Sequence, residues 1–229
     1  MLHGYGPSLL QGAALTLSVA GASLLLALAL GLVGATARLS RSALASRLAL
    51  AYTTLVRGVP DLVLMLLIFY GGQMALNELG DRLGFSYIDV DPYLAGVLTM
   101  GFIFGAYVAE VLRGAILAVP AGQAEAAQAF GFTRVQVLWR IVGPQMLRHA
   151  LPGLSNNWLV MLKSTAIVSV IGLSDLSNRA AQAAGATGKP FVFYAAVGLA
   201  YLAFTSLSEL GFAWLRRRLM VGQTVGQVR

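Results

Sequence analysis

Apolar residues in this chain run on unbroken in five stretches, and the charges collect in the short segments between them. Uninterrupted apolar runs of about 20 residues mark helices that cross a bilayer. No charge occurs from Pro7 to Ala37, and Gln11–Ala37 is long enough to cross with some tilt. Leu48–Val56 is uncharged but too short to cross, and Arg57, Gly58, Pro60 and Asp61 interrupt before the next apolar run begins. The pattern therefore predicts a helix lying near the membrane surface over 42–56 and a second span over about 59–77. The third span is about Tyr93–Leu112, the fourth about Leu151–Leu173, interrupted by Lys163, and the fifth about Pro190–Leu215. The expected fold class is an all-α integral membrane protein, a single transmembrane domain over residues 1–229.

Composition agrees with this reading and narrows it. Of 229 residues 58% are hydrophobic and 11% charged, where a soluble domain carries about a quarter charged. Five spans and their loops leave no room for a separate soluble catalytic domain. With no cysteine there is no disulfide framework, thiolate metal site or cysteine nucleophile. The net charge of +7 would suit nucleic acid in a soluble protein. Here it sorts by membrane side. Arg38, Arg41, Arg47, Arg57, Arg113, Arg134, Arg140, Arg148, Arg216, Arg217, Arg218 and Arg229 fall on one side; Arg82, Arg179 and Lys189 fall on the other, with the acidic segment Asn77–Pro92. The positive-inside rule then predicts the N-terminus outside and the C-terminus cytoplasmic. An uncleaved signal sequence fits span one poorly, because only His3 precedes it and the basic residues follow. His3 and His149 fall on opposite predicted sides, which disfavours a metal site between them.

The segment 113–150, between spans three and four, is long for a bundle connection, and such loops are either disordered or functional. Pro120 opens an Ala-rich helical stretch, Gln123–Phe130, and Gly131 suits the left-handed position beyond a helix end. Thr133 with Gln136 three residues on reads as a capping box that restarts a helix. That second helix alternates Val135, Leu138, Ile141, Val142 and Leu147 with Arg134, Arg140 and Arg148, a pattern suited to a membrane surface. The plainest role for the pair is a structural connector; the sharper one is a rigid knob for a partner.

Glu125-Ala126-Ala127, three residues, Gly131, nine residues, Ile141, two residues, Pro144 resembles the cytoplasmic EAA loop of ABC-importer permeases. One departure is Gly143, where that family usually carries an apolar side chain. Arg57-Gly58-Val59-Pro60, Ala106-Tyr107 with Glu110 and Arg113, Leu151-Pro152, Asn156-Asn157 and Lys163-Ser164-Thr165 extend the resemblance over nearly the whole chain, to the polar amino-acid subfamily. The run Arg57–Tyr70, with Asp61 after the proline, is similar to the Q-type membrane subunits of histidine/lysine-arginine-ornithine importers. The resemblance implies a type I ABC-importer permease fold. It also implies that Glu125, Ala126, Ala127, Gly131, Ile141 and Pro144 belong to a coupling loop that docks on an ATPase. Its further implications are a bacterial inner-membrane location, two ATPase copies that hold ATP and magnesium, a periplasmic amino-acid-binding protein, and a second homologous permease or a second copy of this chain. No cofactor is expected on the chain itself, which contains no Gly-x-x-x-x-Gly-Lys-Ser/Thr phosphate loop.

Ionisable groups inside spans are costly unless paired or wetted, so each is a functional candidate. Asp61, Glu110, Lys163 and Glu209 are the candidates for an intramembrane or substrate path. The plainer reading pairs Glu110 with Lys163 as a strut between spans three and four, or lets them snorkel. The sharper reading has Glu110 or Glu209 attract the cationic groups of a basic amino acid, with Glu209 the more discriminating of the two. Two other function classes fit the sequence less well. An intramembrane enzyme lacks a nucleophile and base on one helix face, since Lys163 and Ser164 are adjacent. A secondary carrier or channel working without ATP is disfavoured by five spans with no inverted repeat.

Overall fold

The computed structural model describes residues 4–219. Among them every regular element is a helix. Four crossings are single helices: α1 (Gly6–Arg38), α3 (Asp61–Arg82), α4 (Pro92–Leu117) and α9 (Pro190–Leu219). The remaining crossing, Arg134–Ile171, joins α6 (Arg134–Val137), a π turn (Leu138–Val142), α7 (Gly143–Ser164) and a 3-10 segment (Thr165–Ile171). All five are long and apolar enough to cross a membrane. Between them lie α2 (Ala43–Gly58), α5 (Ala121–Ala129) and α8 (Leu176–Thr187).

The packing core is α4 laid against α1, with α2, α3 and α7 around it. Lipid tails are as apolar as leucine, so helices in a bilayer associate through close van der Waals packing rather than escape from water. Small residues make that packing possible here. A side chain on Gly31 of α1 would run into Val108, one on Gly34 would come within 2.8 Å of Ala109 Cβ, and one on Gly101 of α4 within 2.5 Å of Leu26 Cδ2. Two hydrogen bonds stitch the same core: the Ser23 hydroxyl donates to the Val97 carbonyl at 3.4 Å, and the Tyr52 hydroxyl donates to the Phe102 carbonyl at 2.6 Å. Partial burial of Tyr52 pushes its phenol up to about 12, which keeps the donating proton in place.

The helix layout departs from the sequence expectation in three places. First, α3 continues to Arg82, past the expected end near 77, and the Glu78–Arg82 pair one turn apart supports the added length. The segment that follows is strapped to this helix: the Ile88 amide donates to Asn77 Oδ1 at 2.7 Å and the Val90 amide to Gln73 Oε1 at 3.0 Å. Second, the helix restarted at Arg134 does not end before span four. It runs on into it, because the π turn Leu138–Val142 takes up the amide missing at Pro144 and Pro152 is tolerated inside α7. Third, residues 176–187, expected as a loop, form α8. Asp175 caps it by accepting from the Asn178 amide at 2.9 Å, and Gly188 closes it with φ 65°. That helix packs between α1 and α9; Leu9, Leu176, Ala180, Ala183 and Phe193 form a second small core. Arg179 ties it to α1 through Ser8 Oγ and Gln11 Oε1 at 3.2 and 3.1 Å.

Candidate coupling loop and membrane-embedded charges

Leaving α4, the chain passes Pro120 into α5, a nine-residue helix of small residues. Its end is fixed by the hydrogen bonds of a Schellman motif: the Gly131 amide donates to the Gln128 carbonyl at 2.9 Å and the Phe132 amide to the Ala127 carbonyl at 3.1 Å. This places Gly131 at φ 84°, a conformation that costs glycine little and other residues more. Two residues on, Thr133 and Gln136 close the capping box in both directions, at 2.9 and 3.3 Å. Helix, left-handed glycine and capped helix form one unit with its own hydrogen bonds.

The surface of that unit is unlike an ordinary polar loop. Ala127 is buried against its own structure, whereas Glu125 and Ala126 are exposed. Around them Phe130 is 86% and Trp139 75% exposed, beside exposed Val135 and Leu138. Ile141 lies half-buried in the π turn and Pro144 is exposed in the first turn of α7. The aromatic pair carried no signal in the spacing motif; a Phe next to the turn glycine, with no apolar partner in helical register, was the available hint. The π turn also accounts for Gly143. Its amide reaches back to the Leu138 carbonyl, and a Cβ there would lie 2.7 Å from that oxygen. Proline at 144 has no amide to offer the preceding turn, which favours the wider winding.

The embedded charges are not arranged as the Glu110–Lys163 pairing expects. The Glu110 carboxylate, in a side chain 17% exposed, takes Arg113 Nε and Nη2 at 3.0 and 2.9 Å. Arg38 Nε of α1 lies 3.5 Å from its other oxygen, and the Thr53 hydroxyl of α2 donates to that oxygen at 3.3 Å. Glu110 is thus the joint of α1, α2 and α4. Lys163 is exposed in the last turn of α7 and forms no ion pair among the described residues. The reason is depth: at about 1.5 Å per residue, Lys163 lies about 30 Å along α7 from its start, and Glu110 about 10 Å from the end of α4.

Asp61 opens α3, half-buried, directly after Pro60, which occupies the cap position. Arg57, at the end of α2, lies over the Tyr107 ring at 5.7 Å. Glu209 is exposed on α9 and lines a groove against α7. His3 and Arg229 fall outside the described residues. The partners Arg38 and Thr53 were missed by sequence reasoning because they lie on other helices, whereas Arg113 stands three residues from Glu110.

Apolar crossings around a small-residue core, with a self-capped knob between two of them, define a multi-helix integral membrane component. The chain belongs to the family described as binding-protein-dependent transport system inner membrane component, which matches residues 7–221. It is therefore a multi-pass inner-membrane transport component. It is 52% identical over 222 residues to the histidine/lysine/arginine/ornithine transport system permease protein HisQ of Escherichia coli strain K12, covering 97% of each chain. To the arginine ABC transporter permease protein ArtQ of Haemophilus influenzae it is 40% identical over 206 residues, covering 90% of each. Its fold superimposes on a chain from the crystal structure of an amino acid ABC transporter with histidines, with a TM-score of 0.80 and 31% identity. That match covers 93% of this chain and 95% of the other.

Proposed function

We propose that this chain is the permease subunit of an ATP-driven, binding-protein-dependent importer of basic amino acids (histidine, arginine, lysine and ornithine), and that residues 113–150 are its coupling loop. The observation that carries the proposal is the self-contained knob at 121–144, with Gly131 at φ 84° and with Phe130 and Trp139 exposed. A loop held this rigidly with so much apolar surface is shaped for a groove on a partner. In this reading Glu125, Ala126 and Ala127 lie at the contact, where the two alanines let backbones approach closely. Gly131 sets the turn, while Ile141 and Pro144 join the knob to the fourth crossing.

The membrane sidedness follows the same reading. The end of the bundle that carries α5 and Arg216–Arg218 is cytoplasmic, and the N-terminus is outside. Two copies of an ATPase supply hydrolysis and hold ATP and magnesium. A second, homologous permease, or a second copy of this chain, completes the path, and a periplasmic binding protein delivers the amino acid. The basic-substrate assignment is supported by two relatives whose names specify histidine, lysine, arginine and ornithine, or arginine alone. Asp61, Glu110, Lys163 and Glu209 have separate places in this scheme: Glu110 holds three helices together, Asp61 starts α3, Lys163 is exposed at the far end of α7, and Glu209 faces a groove.

The test is purification of the tagged chain from its native host in mild detergent, wild type against Gly131→Pro. Proline holds φ near −65° and has no amide for the Gln128 carbonyl, so the turn cannot form. Recovery of an ATPase and a second permease with the wild type, and loss of the ATPase from a variant that still elutes as a folded species, is the expected result. Wild type that purifies alone and drives uptake from an ion gradient would instead support an ATP-independent carrier.

A further inference from the structure

Glu209 is, with Asp61 at the start of α3, one of two embedded acids that the described part of the chain leaves unanswered. Glu110 has two guanidinium groups and a hydroxyl around it; Glu209, exposed on α9, has no ion pair or hydrogen bond among the described residues. A carboxylate within a crossing helix is costly unless water or a cation meets it. Seven residues further along, two turns on the same face and about 10 Å away, stands Arg216.

Both side chains line one groove of about 360 Å³ between α9 and α7, together with Ser155, Asn156, Leu159 and Phe212. That volume lies within the range of small-molecule sites. The chemistry is graded along its length: a carboxylate at one position, a guanidinium two turns away, an amide on the facing helix and Phe212 between the charges. A basic amino acid carries the complement, a cation at the side-chain tip and a carboxylate at the other end. An acyl chain would leave both charges unmatched, and a neutral amino acid would leave Glu209 unmatched.

We propose that the α7–α9 groove is a binding site for a zwitterionic amino acid with a cationic side chain, Glu209 taking the side-chain cation and Arg216 the α-carboxylate. The proposal rests on the importer reading and deepens it, by placing the selection for basic substrates on this subunit.

The experiment is equilibrium binding of radiolabelled arginine to the assembled complex of this chain with its ATPase and second permease, without the binding protein. Citrulline, which has the shape of arginine with a neutral urea, is the competitor. In the wild type, citrulline competes at least about tenfold more weakly than arginine, the loss expected when one charged hydrogen-bonded partner disappears. Glu209→Gln lowers arginine affinity by about tenfold or more and changes citrulline affinity by less than about twofold, so the preference collapses. Glu209→Asp keeps part of it. Equal loss for both ligands would make Glu209 a structural residue; unchanged arginine binding in Glu209→Gln, or none in the wild type, would also overturn the site. ATP dependence of wild-type uptake in proteoliposomes is measured in parallel. If uptake needs no ATP, the importer reading itself falls, whatever the groove does.

Discussion

α4 and α9 are equally apolar, each with a mean hydropathy of 1.7 over its most apolar stretch, yet 61% of that stretch is buried in α4 and 6% in α9. Hydropathy says which helices cross a membrane and is silent about which crosses in the middle. The difference lies in small residues used as contact surface. Gly96, Gly101 and Gly105 of α4 each face a side chain of a neighbouring helix, whereas Gly198 and Gly211 of α9 face open space. α4 belongs to the scaffold of this chain. α9, anchored mainly at its start by α8 and Phe193, keeps its sides free for lipid, for a partner or for a ligand.

The largest expected effect comes from filling one of these close approaches. Gly31→Leu drives a side chain into Val108 and toward the Ala109 amide, 3.2 Å away from a Cβ at that site. Overpacking of this kind costs about 3 kcal/mol. The variant should lose several degrees of melting temperature in detergent, or fail to accumulate. Gly198→Leu on α9, the matched control, should shift stability by no more than about 0.5 kcal/mol. Equal losses at the two sites would mean that α9 is packed as tightly as α4, and the comparison would break.

A smaller effect is expected at the ion joint. Glu110→Gln keeps the shape but leaves Arg38 and Arg113 without a counter-charge. Hydrogen bonds to charged groups contribute about 1.5–3 kcal/mol, and partial exposure of this site argues for the lower end, about 1.5 kcal/mol. Thermal unfolding should report the loss. Lys163→Gln, at a residue with no ion pair among the described residues, should leave it unchanged; a matching loss there would restore the strut between the third and fourth crossings.

What the sequence made legible follows the range of the forces involved. The five crossings, the Gly131 turn and the Thr133–Gln136 box were readable because each depends on residues within a few positions of one another. α8 has ordinary start and stop signals, Asp175 before it and Gly188 after it, but its buried stripe, Leu176, Ala180, Ala183 and Ala184, is almost all alanine and stands out little from the polar residues around it. The Arg38–Glu110 contact was beyond reach, since it depends on which face of α1 meets α4. Continuity of the Arg134 helix with the fourth crossing was hidden by Arg148 and Pro152, which looked like an interface and a break.

Where α8 holds the start of α9, the comparison can be sharpened by pH. Asp175 is 1% exposed; one oxygen caps α8, and the other takes no hydrogen bond from the protein among the described residues. Burial pushes its carboxyl above the usual aspartate range, against the pull of the amides at the cap. The folded state therefore holds the proton more tightly than the unfolded chain does. The contribution is present in full below the ordinary aspartate value and is lost as pH rises through the raised one. Asparagine keeps an oxygen acceptor at the cap without the charge. Asp175→Asn should therefore come closest to the wild type at about pH 4 and exceed it at neutral pH, when unfolding in detergent is followed across that range. Comparing the variant with the wild type at each pH cancels the other carboxylates. A variant that loses stability at neutral pH would show that the charge at Asp175 helps to hold α8, and with it the start of α9.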